Sequence, residues 1–227
     1  MVFAIETSTE LSGIAIVSLD GELLAEKSFE GPRLQTGPLF SIAHELFEQV
    51  VSFRGKPEFS AIVAGTGPGS YSGVRVAIAA AQGMAQGLGV PATGFSSLLS
   101  LADGRYAAVG NARGGHFFFA IVQDAAFIVE PQLCQPNEAL ELASAEKKAF
   151  WVGAPNPPSA NLTPAYPSAV RLAKIAAAAC YASKLGTPLP PPTPLYLKQA
   201  HITQPKNRPR APAGAPGGAR GGGRGGG

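Results

Sequence analysis

Residues able to do chemistry gather in two short runs. Near the N-terminus Glu6, Thr7, Ser8 and Thr9 set one carboxylate and three hydroxyls in a row behind an apolar stretch, 2–5. An acid and hydroxyls at the C-terminal end of a strand suit a metal–phosphate group, and an acid that caps its own turn is the other use of Glu6. Further on, Gly65-Thr66-Gly67-Pro68-Gly69-Ser70-Tyr71-Ser72-Gly73 puts four glycines between a strand pattern and a helix pattern. Glycine permits backbone angles and close approaches that a Cβ forbids, and amides at the start of the following helix can hold an anion. Glu6, Thr7, Ser8, Gly67, Gly69 and Ser70 are therefore a candidate nucleotide or phosphate site. The loop lacks the Gly-Lys-Ser/Thr ending of a Walker loop and the downstream acid of a dinucleotide fingerprint. A tight turn that lets a helix pack closely on a sheet is the competing reading. His44, His116 and His201 form no HxxxH or HExxH pair, so no metal site and no catalytic residue are expected. Asn111, Arg113 and His116 flank a Gly114-Gly115 turn, as a cleft wall or as a plain polar hairpin end.

These runs need a scaffold, and the hydrophobic pattern predicts one. Stretches 2–5, 12–19 and 22–29 read as strands, the last two joined by Asp20-Gly21, a strong hairpin signal. Over 39–53 the apolar residues Leu39, Ile42, Ala43, Leu46, Phe47 and Val50 recur at helical spacing. A buried strand at 59–64 and an alanine-rich helix at 74–88 flank the glycine-rich loop. A strand at 90–95 and a short helix ending at Leu101 follow. From about Asp103 strands are predicted at 106–109, 117–122, 126–129 and 150–153, with helices near 137–143 and over 168–185. A proline-rich stretch, 188–194, cannot continue that last helix. Such alternation predicts an α/β fold, with a first lobe over 1–101 and a second over 102–200.

The helix at 74–88 carries an oddity. Ala79, Gly83 and Gly87 lie four apart, forming a ridge almost without side chains beside a second ridge of Val76, Ala80 and Met84. Glycine costs about 1 kcal/mol against alanine inside a helix, so two of them want a reason. Close approach of another helix is one, whether from the same fold or from another chain.

Composition bounds the rest. With 227 residues, 45% hydrophobic and only 15% charged, the chain suits one large domain or two small lobes. Charge that sparse, against about 25% in ordinary soluble domains, implies large faces buried in the fold or against a partner. The net charge of +3 is uneven: from Lys198 onward there are six basic residues and no acid, which leaves 12 basic against 15 acidic residues before it. Residues 201–227, rich in glycine, arginine and proline, hold too little apolar surface to offset ordering entropy, so a disordered tail is expected. Its cations either reach RNA phosphates by counterion release or serve only solubility. Cys134 and Cys180 are too few for a disulfide framework. No apolar run reaches the roughly 18 residues of a membrane span, and the first residues are unlike a signal peptide. A cytoplasmic protein without membrane association is expected.

Taken in order, AIETST at 4–9, the Asp20-Gly21 hairpin, GTGPGSYSGVRVAIAAAQGMAQGLGVPATGFSSLLSLA at 65–102, NARGGHFFFAIV at 111–122 and PLYLK at 194–198 resemble the TsaB (YeaZ) family of tRNA threonylcarbamoyladenosine biosynthesis proteins. The resemblance spans about residues 1–200, and the long central string is its specific part. It implies a two-lobed, actin-like fold of the sugar kinase–heat shock–actin superfamily, with ribonuclease-H-like lobes. It also implies a non-catalytic subunit, since this chain has no counterpart of the metal-binding HxxxH of the related threonylcarbamoyltransferase TsaD. TsaD is the implied partner, the ATPase TsaE is expected in the same complex, tRNA is reached through that complex, and homodimerisation is the alternative assembly. No cofactor is implied for the chain alone, with ATP or ADP expected only in the complex. The family's partner surface lies on the two early helices, here Leu39, Ile42, Ala43 and Leu46 with Val76, Ala79, Ala80, Gly83, Met84 and Gly87. The chain departs from the family at Glu6, usually Asp, at Leu34-Gln35-Thr36, where many members carry His-Ser, and at Asn111, usually Asp. A small-molecule kinase or a metallopeptidase-like enzyme on the same fold is the alternative.

Overall fold

Backbone pairing organises the chain into two five-stranded mixed sheets. The structure is a computed structural model, and it describes residues 1–30, 36–54, 58–112, 114–184 and 186–197. β1 (Val2–Glu6), β2 (Leu11–Val17) and β3 (Leu23–Glu30) form an antiparallel meander. β4 (Ala61–Gly65) and β5 (Ala92–Phe95) add in parallel beyond β1, giving the order β3-β2-β1-β4-β5. Parallel neighbours need crossovers, and α1 (Thr36–Arg54) and α2 (Tyr71–Leu88) supply them. The second sheet repeats the plan. β6 (Arg105–Asn111), β7 (Phe117–Gln123) and β8 (Ala126–Cys134) form the meander, followed by α3 (Pro136–Ser144). β9 (Ala149–Val152) and β10 (Thr163–Ala165) extend the sheet in parallel, in the order β10-β9-β6-β7-β8. α4 (Ala169–Ser183) closes the sequence of elements.

β1 and β4 are buried at every position because helices cover both faces of the first sheet, the usual condition for central parallel strands. Alternate side chains go to opposite faces. Phe3 and Ile5 meet Leu39, Ala43 and Leu46 of α1 and Ala77 and Ala81 of α2. Val2 and Ala4 meet Leu172, Ala173, Ala176 and Ala177 of α4. The helix that follows the second sheet thus completes the core of the first, and its alanine stripe lets it lie close. α3 covers one face of the second sheet through Ala139 and Ala143. On the other face Ala108, Phe118 and Ala120 meet Leu98, from a 3-10 turn at Ser97–Ser100, and Leu197.

The α/β pattern is as expected, with element ends shifted by a few residues. β10 was not foreseen, because Pro164 at its centre argues against a strand. As an edge strand bonded on one side only, it tolerates a residue without an N–H. The division at 101/102 separates the sheets but not the cores, since α4 belongs to the first. The stretch 201–227, expected to be disordered, and Arg113 lie outside the described residues.

Candidate functional site

Glu6 ends β1 with its side chain pointing inward, and Thr7 and Ser8 follow it into the interior. Its Oε1 accepts a hydrogen bond from the Ser8 N–H at 2.7 Å, while Oε2 has no partner among the described residues. Burial pushes the Glu6 carboxyl above its ordinary value, and the bond from Ser8 only partly opposes this. A low-dielectric site disfavours the charged form. A Cβ on Gly65 would run into this carboxylate. Gly65 is glycine because Glu6 occupies the room.

The rest of the loop follows the same logic. Ser70 N–H donates to the Ser8 carbonyl at 2.7 Å, and the Thr7 hydroxyl donates to the Gly73 carbonyl at 2.6 Å. Ser70 caps α2 by accepting from the Gly73 N–H at 3.3 Å. Gly67 N–H donates to Ser97 Oγ at 3.1 Å, and the Gly67 carbonyl accepts from Ser97 N–H at 2.9 Å and Ser96 Oγ at 2.7 Å. A Cβ on Gly69 would strike the Ser8 carbonyl, and one on Gly73 the Thr7 carbonyl. Gly67 sits at φ +87°, the left-handed side that glycine allows. Residues 186–197 then pass along β5 and over the loop. The Pro190 carbonyl accepts from Gly94 N–H at 3.2 Å and Thr93 Oγ1 at 2.7 Å, and Leu195 N–H donates to the Thr66 carbonyl at 2.9 Å.

The candidate phosphate residues divide between interior and surface, with Gly69 and Ser70 exposed at the start of α2. Glu6, Thr7 and Ser8 are inside the fold, and the amides of Gly67, Ser70 and Gly73 are engaged within the chain. Gly69 lies where it does because the loop backbone rests on the backbone leaving β1.

The two early helices divide the expected partner residues. Leu39, Ile42, Ala43, Leu46 and Ala80 are buried in the first core, so they are not available to a partner. Their helical spacing is what seats α1 and α2 on their own sheet. Val76 and Met84 sit half-buried at the margin of that core. Ala79, Gly83 and Gly87 face outward, and a Cβ on Gly83 or Gly87 would have nothing within 4 Å. The ridge is therefore not explained by packing inside the fold. Phe40, Val51 and Leu88 also expose large apolar surface, at 50%, 38% and 48%. Phe40 and Val51 were not singled out from the sequence, although each is an apolar residue off the phase of the core stripe. Elsewhere, Asn111 ends β6, and His116 Nδ1 lies 2.9 Å from the Gly114 carbonyl within the hairpin turn. The thiols of Cys134 and Cys180 are buried in separate cores, and burial raises both. Among the described residues no helix is long and apolar enough to cross a membrane.

Comparison with known proteins agrees with this layout. The family model for TsaD, tRNA N6-adenosine threonylcarbamoyltransferase, matches residues 42–149. The tRNA threonylcarbamoyladenosine biosynthesis protein TsaB of Escherichia coli is 34% identical over 113 residues, covering 49% of this chain and 47% of that protein. The chain spans about half the length of the curated relatives it matches. Two solved structures share the fold: YeaZ from Pseudomonas aeruginosa, with a TM-score of 0.63, 24% identity and coverage of 86% of this chain and 99% of that one, and a Pseudomonas aeruginosa protein described as similar to the peptidase YeaZ, with a TM-score of 0.65, 24% identity and coverage of 87% and 99%.

Proposed function

We propose that this chain, which is similar to TsaB of Escherichia coli and matches the TsaD family model over residues 42–149, is a TsaB-type non-catalytic subunit in tRNA threonylcarbamoyladenosine biosynthesis. It binds the threonylcarbamoyltransferase TsaD and supports it in forming the modified adenosine next to the anticodon, with the ATPase TsaE in the same complex. ATP or ADP enters this scheme with the partners.

The observation that carries the reading is the contrast between the two sides of α2. Its inner side is packed alanine and valine, while its outer ridge of Ala79, Gly83 and Gly87 leaves the helix backbone open to close approach. Glycines that cost helix stability without serving the fold suit a helix that another helix must meet. The residues proposed for contact are Ala79, Gly83 and Gly87, with Val76 and Met84 at the margin and Phe40 and Val51 on α1.

Co-purification from a cell extract with a tagged chain should bring TsaD. Gly83→Leu should leave a folded monomer and abolish both TsaD capture and self-association, since overpacking a contact costs about 1–3 kcal/mol. The isolated chain should form no threonylcarbamoyladenosine, with activity appearing on addition of TsaD, TsaE, ATP and threonylcarbamoyl-adenylate. Modification of tRNA by the chain alone, or unchanged complex formation by Gly83→Leu in sedimentation, would sink this reading.

A further inference from the structure

The carboxyl ends of two interior strands touch across the boundary between the sheets. Thr9 lies just beyond β1 and Gly153 just beyond β9. A Cβ on Gly153 would stand 2.8 Å from Thr9 Cγ2 and 3.2 Å from Thr9 Cβ. The turn of the second lobe therefore rests on the threonine side chain, and only a glycine leaves room for it. The Thr9 hydroxyl donates to the Leu11 carbonyl at 2.9 Å, which leaves the methyl for the contact. Gly153 is held from its own side, at φ +78° and with its N–H donating to the Ala165 carbonyl at 3.0 Å. In open α/β sheets a ligand occupies the crevice beyond the carboxyl ends of the strands. Here a threonine methyl and a glycine backbone meet in that crevice.

Other contacts tie the lobes elsewhere. Where the chain crosses between them, Ser168 N–H donates to Ser100 Oγ at 3.1 Å and to the Ser100 carbonyl at 3.3 Å, and Arg171 pairs with Asp103. With the two crossings held side by side, rocking about them is the motion available to the lobes. The strap 186–197 resists it from another side. Pro188, Pro190, Pro191, Pro192 and Pro194 make it a semi-rigid spacer. Pro192 fills the space beside Gly94, where a Cβ would lie 2.6 Å from Pro192 Cα. Leu195 N–H bonds the Thr66 carbonyl of the first lobe at 2.9 Å, and two residues on, Leu197 packs with Ala108, Phe118 and Ala120 of the second.

We propose that Thr9 against Gly153, together with the strap, latches the two lobes into one arrangement, so that the angle between them is a fixed property of the chain, presented unchanged to whatever it binds. The latch belongs to the isolated chain, so it stands or falls apart from the subunit reading. A hinge closed by its ligand would behave otherwise, its lobes sampling several angles until a molecule bound between them.

Spin labels are placed on the full-length chain at Glu48→Cys on α1 and Glu130→Cys on β8, both exposed positions, the native thiols being buried. Double electron–electron resonance then reads the distance between the lobes. The labelled parent should give one narrow distance. Gly153→Asn should shift it, because asparagine accepts the left-handed backbone and its Cβ forces the contact open by about 1 Å to an ordinary carbon–carbon separation. Gly21→Asn, at φ +84° with nothing within 4 Å of the added Cβ, should leave the distance unchanged. Thr9→Gly combined with Leu197→Ala should broaden the distribution. Thermal melting confirms that each variant is folded. A broad distribution in the parent, an unshifted distance in Gly153→Asn, or an unbroadened one in the Thr9→Gly, Leu197→Ala chain overturns the latch. TsaD co-elution is measured separately on the labelled parent: a narrow distance without TsaD capture supports the latch and refutes the subunit reading alone.

Discussion

The glycine-rich loop and the outer ridge of α2 adjoin in sequence and use the same residue for opposite reasons. At Gly65, Gly69 and Gly73 the missing Cβ is a space already filled, by the Glu6 carboxylate and by the carbonyls of Ser8 and Thr7. At Gly83 and Gly87 the space is empty. The first set is required by the fold. The second weakens the helix with no compensation among the described residues, which points to a surface that matters only when something meets it. A glycine-rich string therefore carries two messages that composition cannot separate, and packing separates them at once.

The largest effect expected from breaking this comparison is at Gly73. Gly73→Val would drive a side chain into the Thr7 carbonyl and displace the buried bond from Thr7 Oγ1. It should cost more than about 3 kcal/mol, seen as loss of a cooperative transition in urea or as insoluble expression. Next comes Leu46→Ala on α1. This residue is 3% exposed in the first core, and its truncation should destabilise by about 2–5 kcal/mol in chemical denaturation. A partner-facing leucine would instead leave the monomer's stability alone and change only complex formation.

Glu6→Gln sharpens the loop side of the comparison. Burial raises the Glu6 carboxyl above its ordinary value, so the folded chain holds this proton more tightly than the unfolded one. Stability from this group is fully present below the unfolded value near 4.5 and declines as pH rises toward the folded value. Gln keeps an acceptor for the Ser8 N–H and carries no charge. The variant should therefore melt above the unaltered protein at pH 8 and converge with it at pH 4. A higher melting point at pH 4 than at pH 8, relative to the unaltered protein, would mean that the carboxylate is stabilised by an unrecognised partner. The smallest effect is on the outer ridge: Gly83→Ala should stabilise the isolated chain by up to about 1 kcal/mol, because the helix gains propensity and meets no clash. A loss of stability there would show that the ridge packs within the fold after all.

Strand and helix positions were legible because local periodicity reports which faces of an element are apolar. The stripe Leu39, Ile42, Ala43 and Leu46 identified α1 correctly, and Asp20-Gly21 placed the first hairpin between β2 and β3. Periodicity says that a face is covered and not by what. The same four residues, expected at a partner surface, turned out to cover the chain's own sheet. Strand 163–165 was missed for the complementary reason: Pro164 reads as a breaker until its edge position is known.

What the sequence by itself determined was the alternation of elements, the sparse charge of the body, the basic segment after Tyr196 and the family likeness of its central string. Those are properties of residue types and spacing along one dimension. Only the tertiary structure decided that Glu6 is enclosed rather than presented, and that the N–H groups of Gly67, Ser70 and Gly73 are bonded within the chain. It also decided that Tyr71 and Tyr196, 125 positions apart in the chain, share one exposed stack. Each of these depends on which distant segments fill the same space, and excluded volume and hydrogen-bond partners are set only once the chain has folded upon itself.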